Sequence, residues 1–283
     1  MSYSNKRWFS FLLIGVTYFV ATLVGIITYN LLPFAFWLNL LIADVISTVF
    51  VFIISIICKN ASVYDPYWSV QPIVIVALFL ITYGINTSTL ILFIVISIWG
   101  IRLTVNWAYT FKNITHQDWR YTMLHDTCGK LYPIINFIGI HMVPTIIVYA
   151  CTLPVVFAIY YDFTFSPYMI IFVVLSLLAT SIQATADIQM HKFRKNKESN
   201  FIRAGLWKYS RHPNYLGEIL MWWGVGLSVF ILDLNYWFLL AGALANTILF
   251  LSVSIPMADK RQSRKEGFSE YKKQTRMLLP IKK

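Results

Sequence analysis

Charged residues are scarce in this chain. Asp, Glu, Lys and Arg make up 12% of its 283 residues, and 58% are hydrophobic. A soluble globular domain carries about twice that charged share, so this balance excludes one. The mean hydropathy of +0.64 points to a core built against lipid and neighbouring helices. Cysteine is nearly missing. Cys58, Cys128 and Cys151 are scattered, odd in number and form no C-x-x-C pair, which excludes a disulfide framework and a thiolate zinc site. There is no H-x-x-x-H, no H-E-x-x-H and no Cys/His cluster, so no metal is expected. There is also no G-x-G-x-x-G and no G-x-x-x-x-G-K-[ST], which excludes the soluble nucleotide folds those loops serve. Internal repeats and low-complexity tracts are absent.

Long apolar runs fill the chain instead. They fall at about 8–32, 36–58, 66–84, 88–111, 133–160, 166–190, 213–232 and 236–255, each long enough or nearly so to span a bilayer. The third is the weakest, so seven spans is the alternative count. The first is too long for a signal peptide and lacks a small-residue cleavage site, so it is expected to be a retained span. Pro33, Gly84, Asn86, Ser166, Pro167, Asp233 and Asn235 mark short connections between antiparallel neighbours. The expectation is an all-α polytopic bundle forming a single transmembrane domain over 1–283, with an N-terminal helix pair at 1–60 and a catalytic region at 61–283.

The net charge of +11 has a one-sided source. Lys and Arg cluster before span one and after spans two, four, six and eight; the loops after spans one, three, five and seven contain none. With eight spans, every one except Arg102 lies on a single face. The positive-inside rule makes that face cytosolic and places both termini there. The charge thus needs no nucleic acid to explain it. Of the N-x-[ST] sequons at Asn60, Asn86 and Asn113, only Asn86 is expected outside, in a tight loop.

Ionisable residues inside membrane segments are functional candidates by default: Asp44, Arg102, His141, Asp187 and Glu218. Arg102 lies nine residues before the end of span four, roughly 14 Å deep. A ligand phosphate or a buried carboxylate would satisfy it, and Asn106 is one turn on. Asp187 and Arg194 are two turns apart. Asp44 is as readily a packing residue, and His141 reads as a satisfied core histidine. The stretch Gly205 to Glu218 gathers Lys208, Ser210, Arg211, His212, Pro213, Asn214, Tyr215 and Gly217. Pro213 suits a first helical turn, Ser210 or His212 can cap it, and the exposed N–H groups attract anions. Asn214 and Glu218 share one face, and Gly217 leaves room for a flat group against the backbone. The loops at Tyr64–Pro72 and His116–Tyr121 interleave aromatic residues with Asp65, Asp118 and Arg120. The basic segment from Pro256 onward either lies on anionic lipid or folds over the bundle to supply cations to a phosphate ligand. These features suit a soluble anionic cofactor meeting a membrane-dissolved molecule, and they do not choose the cofactor.

The run Arg211-His212-Pro213-Asn214-Tyr215-x-Gly217-Glu218 resembles the C-terminal signature of the steroid 5-alpha-reductase superfamily, closest to its poorly characterised branch. Asp65-Pro66-Tyr67-Trp68-Ser69, Trp99-Gly100-x-Arg102-Leu103-Thr104-x-Asn106-Trp107, Asp118-Trp119-Arg120-Tyr121, Ala186-Asp187-x-Gln189, and Tyr271 with Pro280 nine residues on, fit the same family. Isoprenylcysteine and phospholipid methyltransferases share only the R-H-P-x-Y-x-G part. The resemblance implies a membrane reductase that uses NADPH on a lipid such as a steroid or sterol, in the endoplasmic reticulum membrane of a eukaryote. It implies cofactor contacts from Asn214, Glu218, Asp187 and Arg194, and from Arg102 and Asn106. Arg102, Arg120, Arg194, Arg211 and the Arg261 region are expected on phosphates, with Tyr121, His212, Tyr215 and Tyr271 completing the cofactor site. Asp65, with Tyr67, is the expected catalytic pair that hydrogen-bonds a substrate carbonyl. Where steroid reductases place a substrate tyrosine this chain has Trp99, and Asp259-Lys260-Arg261 replaces their histidine-rich motif. The rival readings are an S-adenosylmethionine-dependent lipid or isoprenylcysteine methyltransferase, and a lipid-binding membrane protein without activity.

Overall fold

Apolar side chains at most positions leave the backbone to satisfy itself, and in lipid a helix does that within one segment. The computed structural model describes residues 6–196 and 199–280, and among these it contains helices and no strand. Ser2, Lys197 and Lys283, and with them both termini, lie outside the described residues. The helices are α1 Arg7–Leu31, α2 Phe36–Ile57, α3 Tyr67–Tyr83, α4 Thr87–Thr110, α5 Trp119–Cys128, α6 Tyr132–Ile135, α7 Val143–Tyr160, α8 Met169–Asn196, α9 Pro213–Phe230, α10 Ala241–Leu249, α11 Ile255–Gln262 and α12 Phe268–Gln274. One-turn wide π-helical segments, Asn136–Met142 and Phe250–Ser254, precede α7 and α11.

Seven helical stretches are long and apolar enough to cross a membrane: Arg7–Leu31, Phe36–Ile57, Ala61–Tyr83, Thr87–Thr110, Trp119–Tyr160, Met169–Asn196 and Leu234–Gln262. The expected run at 213–232 forms α9, which is not among the seven. It packs along α8 and buries most of its length, so it meets protein where a lipid-facing helix would meet hydrocarbon. Its 18 residues rise about 27 Å, close to the roughly 30 Å of the hydrocarbon core. The chain before α9 and the chain after α11 meet: Arg211 pairs with Asp259 at 3.0 Å, and the Arg211 amide donates to the Arg276 carbonyl at 2.9 Å. α9 and Leu234–Gln262 thus form a helical hairpin whose ends lie together; against the expected eight spans, seven helices among the described residues have spanning length and hydropathy.

The chain divides into two compact units. The first is Met1–Leu78 with Gly100–Leu153, the second Phe79–Trp99 with Pro154–Lys283. In the first, α1 and α2 pair as a hairpin. Asn60 accepts from the Ser62 amide and donates to the carbonyls of Ile114 and His116, at 2.5 and 3.1 Å. Arg7 donates to the Ala108 carbonyl. The start of α1, the end of α2 and the end of α4 therefore share a face, as the Lys and Arg pattern requires. In the second unit, Asn86 donates to Asp162 and to the Phe163 carbonyl, tying the two uncharged-side loops together and occupying the sequon.

Candidate functional site

Pro213 begins α9 as expected, but the capping does not follow the sequence reading. His212 occupies the cap position without a side-chain cap bond. Its ring instead reaches Asp259 at 2.9 Å. One turn into α9, Glu218 is 5% exposed. Its carboxylate accepts from the Trp99 indole at 2.9 Å, the Gln183 amide at 3.1 Å and the Trp222 indole at 3.0 Å. The two indoles meet edge-on, centroids 4.8 Å apart. A buried charge persists only when donors replace water, and three N–H groups do so here.

Gly217 does not hold a flat ligand. A Cβ there would lie 2.5 Å from Gln183 Cγ and 2.6 Å from the Ala179 carbonyl oxygen. Its missing side chain is filled by α8, one turn below the glutamine that serves Glu218. The motif Ala186-Asp187-x-Gln189 also has a packing role. Gln189 accepts from the Leu206 amide at 2.9 Å, and the Trp207 indole donates to the Ala186 carbonyl at 3.2 Å. Gly205 combines a φ of +60° with this close approach of Gln189, so only glycine fits there.

The C-terminal arm clasps the same stretch from its other side. Tyr271 donates to the Trp207 carbonyl. Burial pushes its phenol up to about 12, with Arg211 and Arg203 opposing that rise and Asp259 adding to it. Arg211 is 8% exposed and donates to Asp259 at 3.0 and 3.4 Å and to the Thr275 carbonyl at 2.7 Å. Arg211 and His212 thus converge on Asp259, a residue the sequence reading noted only as part of a departure from the family. Tyr215 stacks on the His212 ring, centroids 5.3 Å apart, and on Phe250. Asn214 is half-buried.

Cations gather at the end of α8. Asp187, His191 and Arg194 lie within one another's electrostatic reach. Lys265 is held below the usual ammonium range by desolvation and by the neighbouring Arg261 and Arg194 guanidinium groups. Its surface is largely exposed, so the charge crowding is the part an anion would relieve. Lys265, which the sequence reading did not name, lies within electrostatic range of two of the expected phosphate ligands, Arg194 and Arg261, and its Nζ donates to the Asn200 carbonyl at 2.7 Å.

In the first unit, Asp118 caps α5 by accepting from the Arg120 amide at 2.9 Å, and it also accepts from Arg120 Nε at 2.8 Å. This turns Tyr121 so that its phenol donates to Asp65. Arg120 Nη2 lies 3.8 Å from the same carboxylate. Asp65 follows the one-turn helix Ala61–Val63, which Gln117 and Asp118 stitch in place through the Ala61 amide and Ser62 Oγ. The expected partner Tyr67 does not meet Asp65 in this way. It lies buried against the rings of Tyr18 and Tyr64, at 5.3 and 5.6 Å. Gly100 admits the Ser69 carbonyl, and Ser69 Oγ bonds Thr104 Oγ1 at 2.8 Å, so these two motifs lock α3 to α4 beside Arg102 and Asn106, which are both half-buried. Asp44 accepts from Gln71 at 3.0 Å, joining α2 to α3. His141 bonds the Asn136 carbonyl through Nδ1 at 3.0 Å.

The first unit holds Asp65, Tyr67, Arg102, Asn106, Arg120 and Tyr121; the second holds Asp187, Arg194, Arg211, His212, Asn214, Tyr215, Glu218, Arg261 and Tyr271. Among known proteins, an uncharacterised protein of Schizosaccharomyces pombe is 24% identical over 223 residues, 69% of this chain and 64% of the relative. The match thus spans under two thirds of that relative's length. No solved structure matches significantly. The family described as "Protein of unknown function (DUF1295)" matches residues 51–275; the chain belongs to this family, which is related to steroid 5-alpha-reductase-like membrane proteins.

Proposed function

We propose that the chain is a membrane-embedded reductase that uses NADPH to reduce an activated C=C bond in a lipid, a steroid, sterol or other enone. The observation that carries this reading is the Asp65–Tyr121–Arg120 group. A mostly shielded carboxylate that accepts a hydrogen bond from a phenol, with a guanidinium alongside, suits an acceptor carbonyl that gains negative charge during reduction. Tyr121 or a protonated Asp65 donates to the carbonyl oxygen, and Arg120 stabilises the enolate. Family membership supports the same reading.

The residues of the second unit fit the anionic end of the cofactor. Arg194, Arg261 and Lys265 crowd positive charge that phosphates would neutralise. NADPH supplies the hydride when bound. Glu218 is a positioning carboxylate: it fixes Trp99, Gln183 and Trp222 around the first turns of α9, and through them the face that carries Asn214.

The test is NADPH oxidation by the purified chain in nanodiscs, against a panel of enone steroids, sterols and isoprenoids. Asp65→Asn and Tyr121→Phe should each lower turnover by about a hundredfold or more and leave NADPH affinity unchanged. Methyl transfer from S-adenosylmethionine to a lipid, with no NADPH oxidation on any substrate, would overturn the reading.

A further inference from the structure

The C-terminal arm presents a groove that neither the fold nor the proposed reaction uses. It is a wide-mouthed groove of ≈ 820 Å³. Lys272, Lys273 and Arg276 line it with Met277, Leu278 and Leu279, Arg211 and Ser269 complete the lining, and no carboxylate is part of it. Met277 is 38% exposed and Leu279 55%.

This is not the surface of a loose tail. The arm's backbone is fixed by the Arg211 amide on the Arg276 carbonyl at 2.9 Å, Arg211 Nη1 on the Thr275 carbonyl at 2.7 Å and Tyr271 on the Trp207 carbonyl. Phe268 and Tyr271 pack on Phe201, centroids 5.4 and 5.2 Å away. A held backbone that keeps leucine and methionine in the open implies an apolar partner for them. The charge there is only partly answered: Lys272 lies 3.7 Å from Asp259 and Lys273 4.0 Å from Glu270. Arg276 lines the groove and is exposed, and its backbone carbonyl ties it to the fold.

Location selects among anions. The arm follows the apolar helical stretch Leu234–Gln262 after a few residues and is rich in Lys and Arg, the composition expected next to a span's cytosolic end. Basic side chains beside exposed aliphatic ones there match an anionic headgroup joined to an acyl chain. A free nucleotide would leave the Met277-Leu278-Leu279 wall in water. We propose that this groove seats an anionic glycerophospholipid, its phosphate among Lys272, Lys273 and Arg276 and the start of one acyl chain along Met277 to Leu279.

The experiment uses the full chain in nanodiscs of phosphatidylcholine alone or with phosphatidylserine, read by melting temperature and by lipid retention in native mass spectrometry. Phosphatidylserine should raise the melting temperature and be retained. Lys272→Gln with Lys273→Gln and Arg276→Gln should reduce retention about a hundredfold, with the melting temperature in phosphatidylcholine alone unchanged. Arg276→Gln by itself leaves the backbone clasp intact, covers a triple variant that does not fold, and should reduce retention about fivefold. Equal retention by Arg276→Gln and the unmodified chain overturns the proposal. So does equal stabilisation by inorganic phosphate in detergent, since the groove would then be a soluble-phosphate site.

Discussion

Glu218 concentrates the energetics of its unit at the scale of single residues. Three N–H donors compensate its burial, so changing the acceptor leaves donors facing one another. Glu218→Gln turns one oxygen into an N–H₂ group opposite an indole or amide N–H and should destabilise the protein by about 2–4 kcal/mol, read as a lower melting temperature without any ligand. Trp99→Phe removes one charge-assisted bond and should cost about 1.5–3 kcal/mol. The buried carboxylate was legible from the sequence. Trp99 was marked there only as standing where steroid reductases have a tyrosine, and its bond to Glu218 was not legible because the indole arrives from 119 positions away. Trp222 was not singled out, although it lies four residues on and so on the same helical face. Tyr271 tests the clasp on the other side. Tyr271→Phe leaves the Trp207 carbonyl without its donor and should cost about 1–3 kcal/mol. The folded phenol is raised to about 12 from an unfolded value of about 10. Its contribution is therefore complete below about pH 10 and is lost as pH rises toward 12; pH-dependent unfolding of the Tyr271→Phe variant should lack that component.

At the scale of elements, the contact of α8 with α9 organises the second unit. Its seam is made of small residues: Gly217 against Ala179 and Gln183, and Gly224 against Ser176, whose Oγ donates to the Met221 carbonyl at 3.0 Å. Close backbone approach is how helices associate where no hydrophobic force separates them from lipid. Gly217→Ala would force α9 away from α8 and should cost about 1–3 kcal/mol, measured by thermal unfolding. Gly15→Ala is the control, because no atom lies within 4 Å of a Cβ there; it should be neutral or stabilising by up to about 1 kcal/mol. The seven-residue spacing of Gly217 and Gly224 carried this signal in the sequence, while the signature around Gly217 drew attention to a ligand. Ser69, Gly100, Thr104 and Gly205 of the motifs likewise join segments to each other. The positions of the spans were legible because lipid demands long apolar runs. The run at 213–232 reads as a span in the sequence, and α9, which packs along α8, falls outside the seven because it carries buried polar groups such as Glu218.

For the whole molecule, most Lys and Arg residues lie at or beyond the ends of the apolar helices, where a soluble cofactor is available. Arg194 and Arg261 are exposed, so Arg194→Ala and Arg261→Ala should each change stability by no more than about 0.5 kcal/mol, read by thermal unfolding. Each should weaken NADPH binding about 10- to 100-fold, the loss of one charge-assisted bond. The cluster was half legible: the sequence marked the two arginines, and only the fold of the arm brings Lys265 to them. The most direct measurement is a calorimetric titration of the purified chain in nanodiscs with NADPH and, separately, with S-adenosylmethionine. The account predicts saturable binding of NADPH, weakened in Arg194→Ala and Arg261→Ala, and no heat from S-adenosylmethionine. Saturable S-adenosylmethionine binding without NADPH binding, or binding of neither, would contradict it.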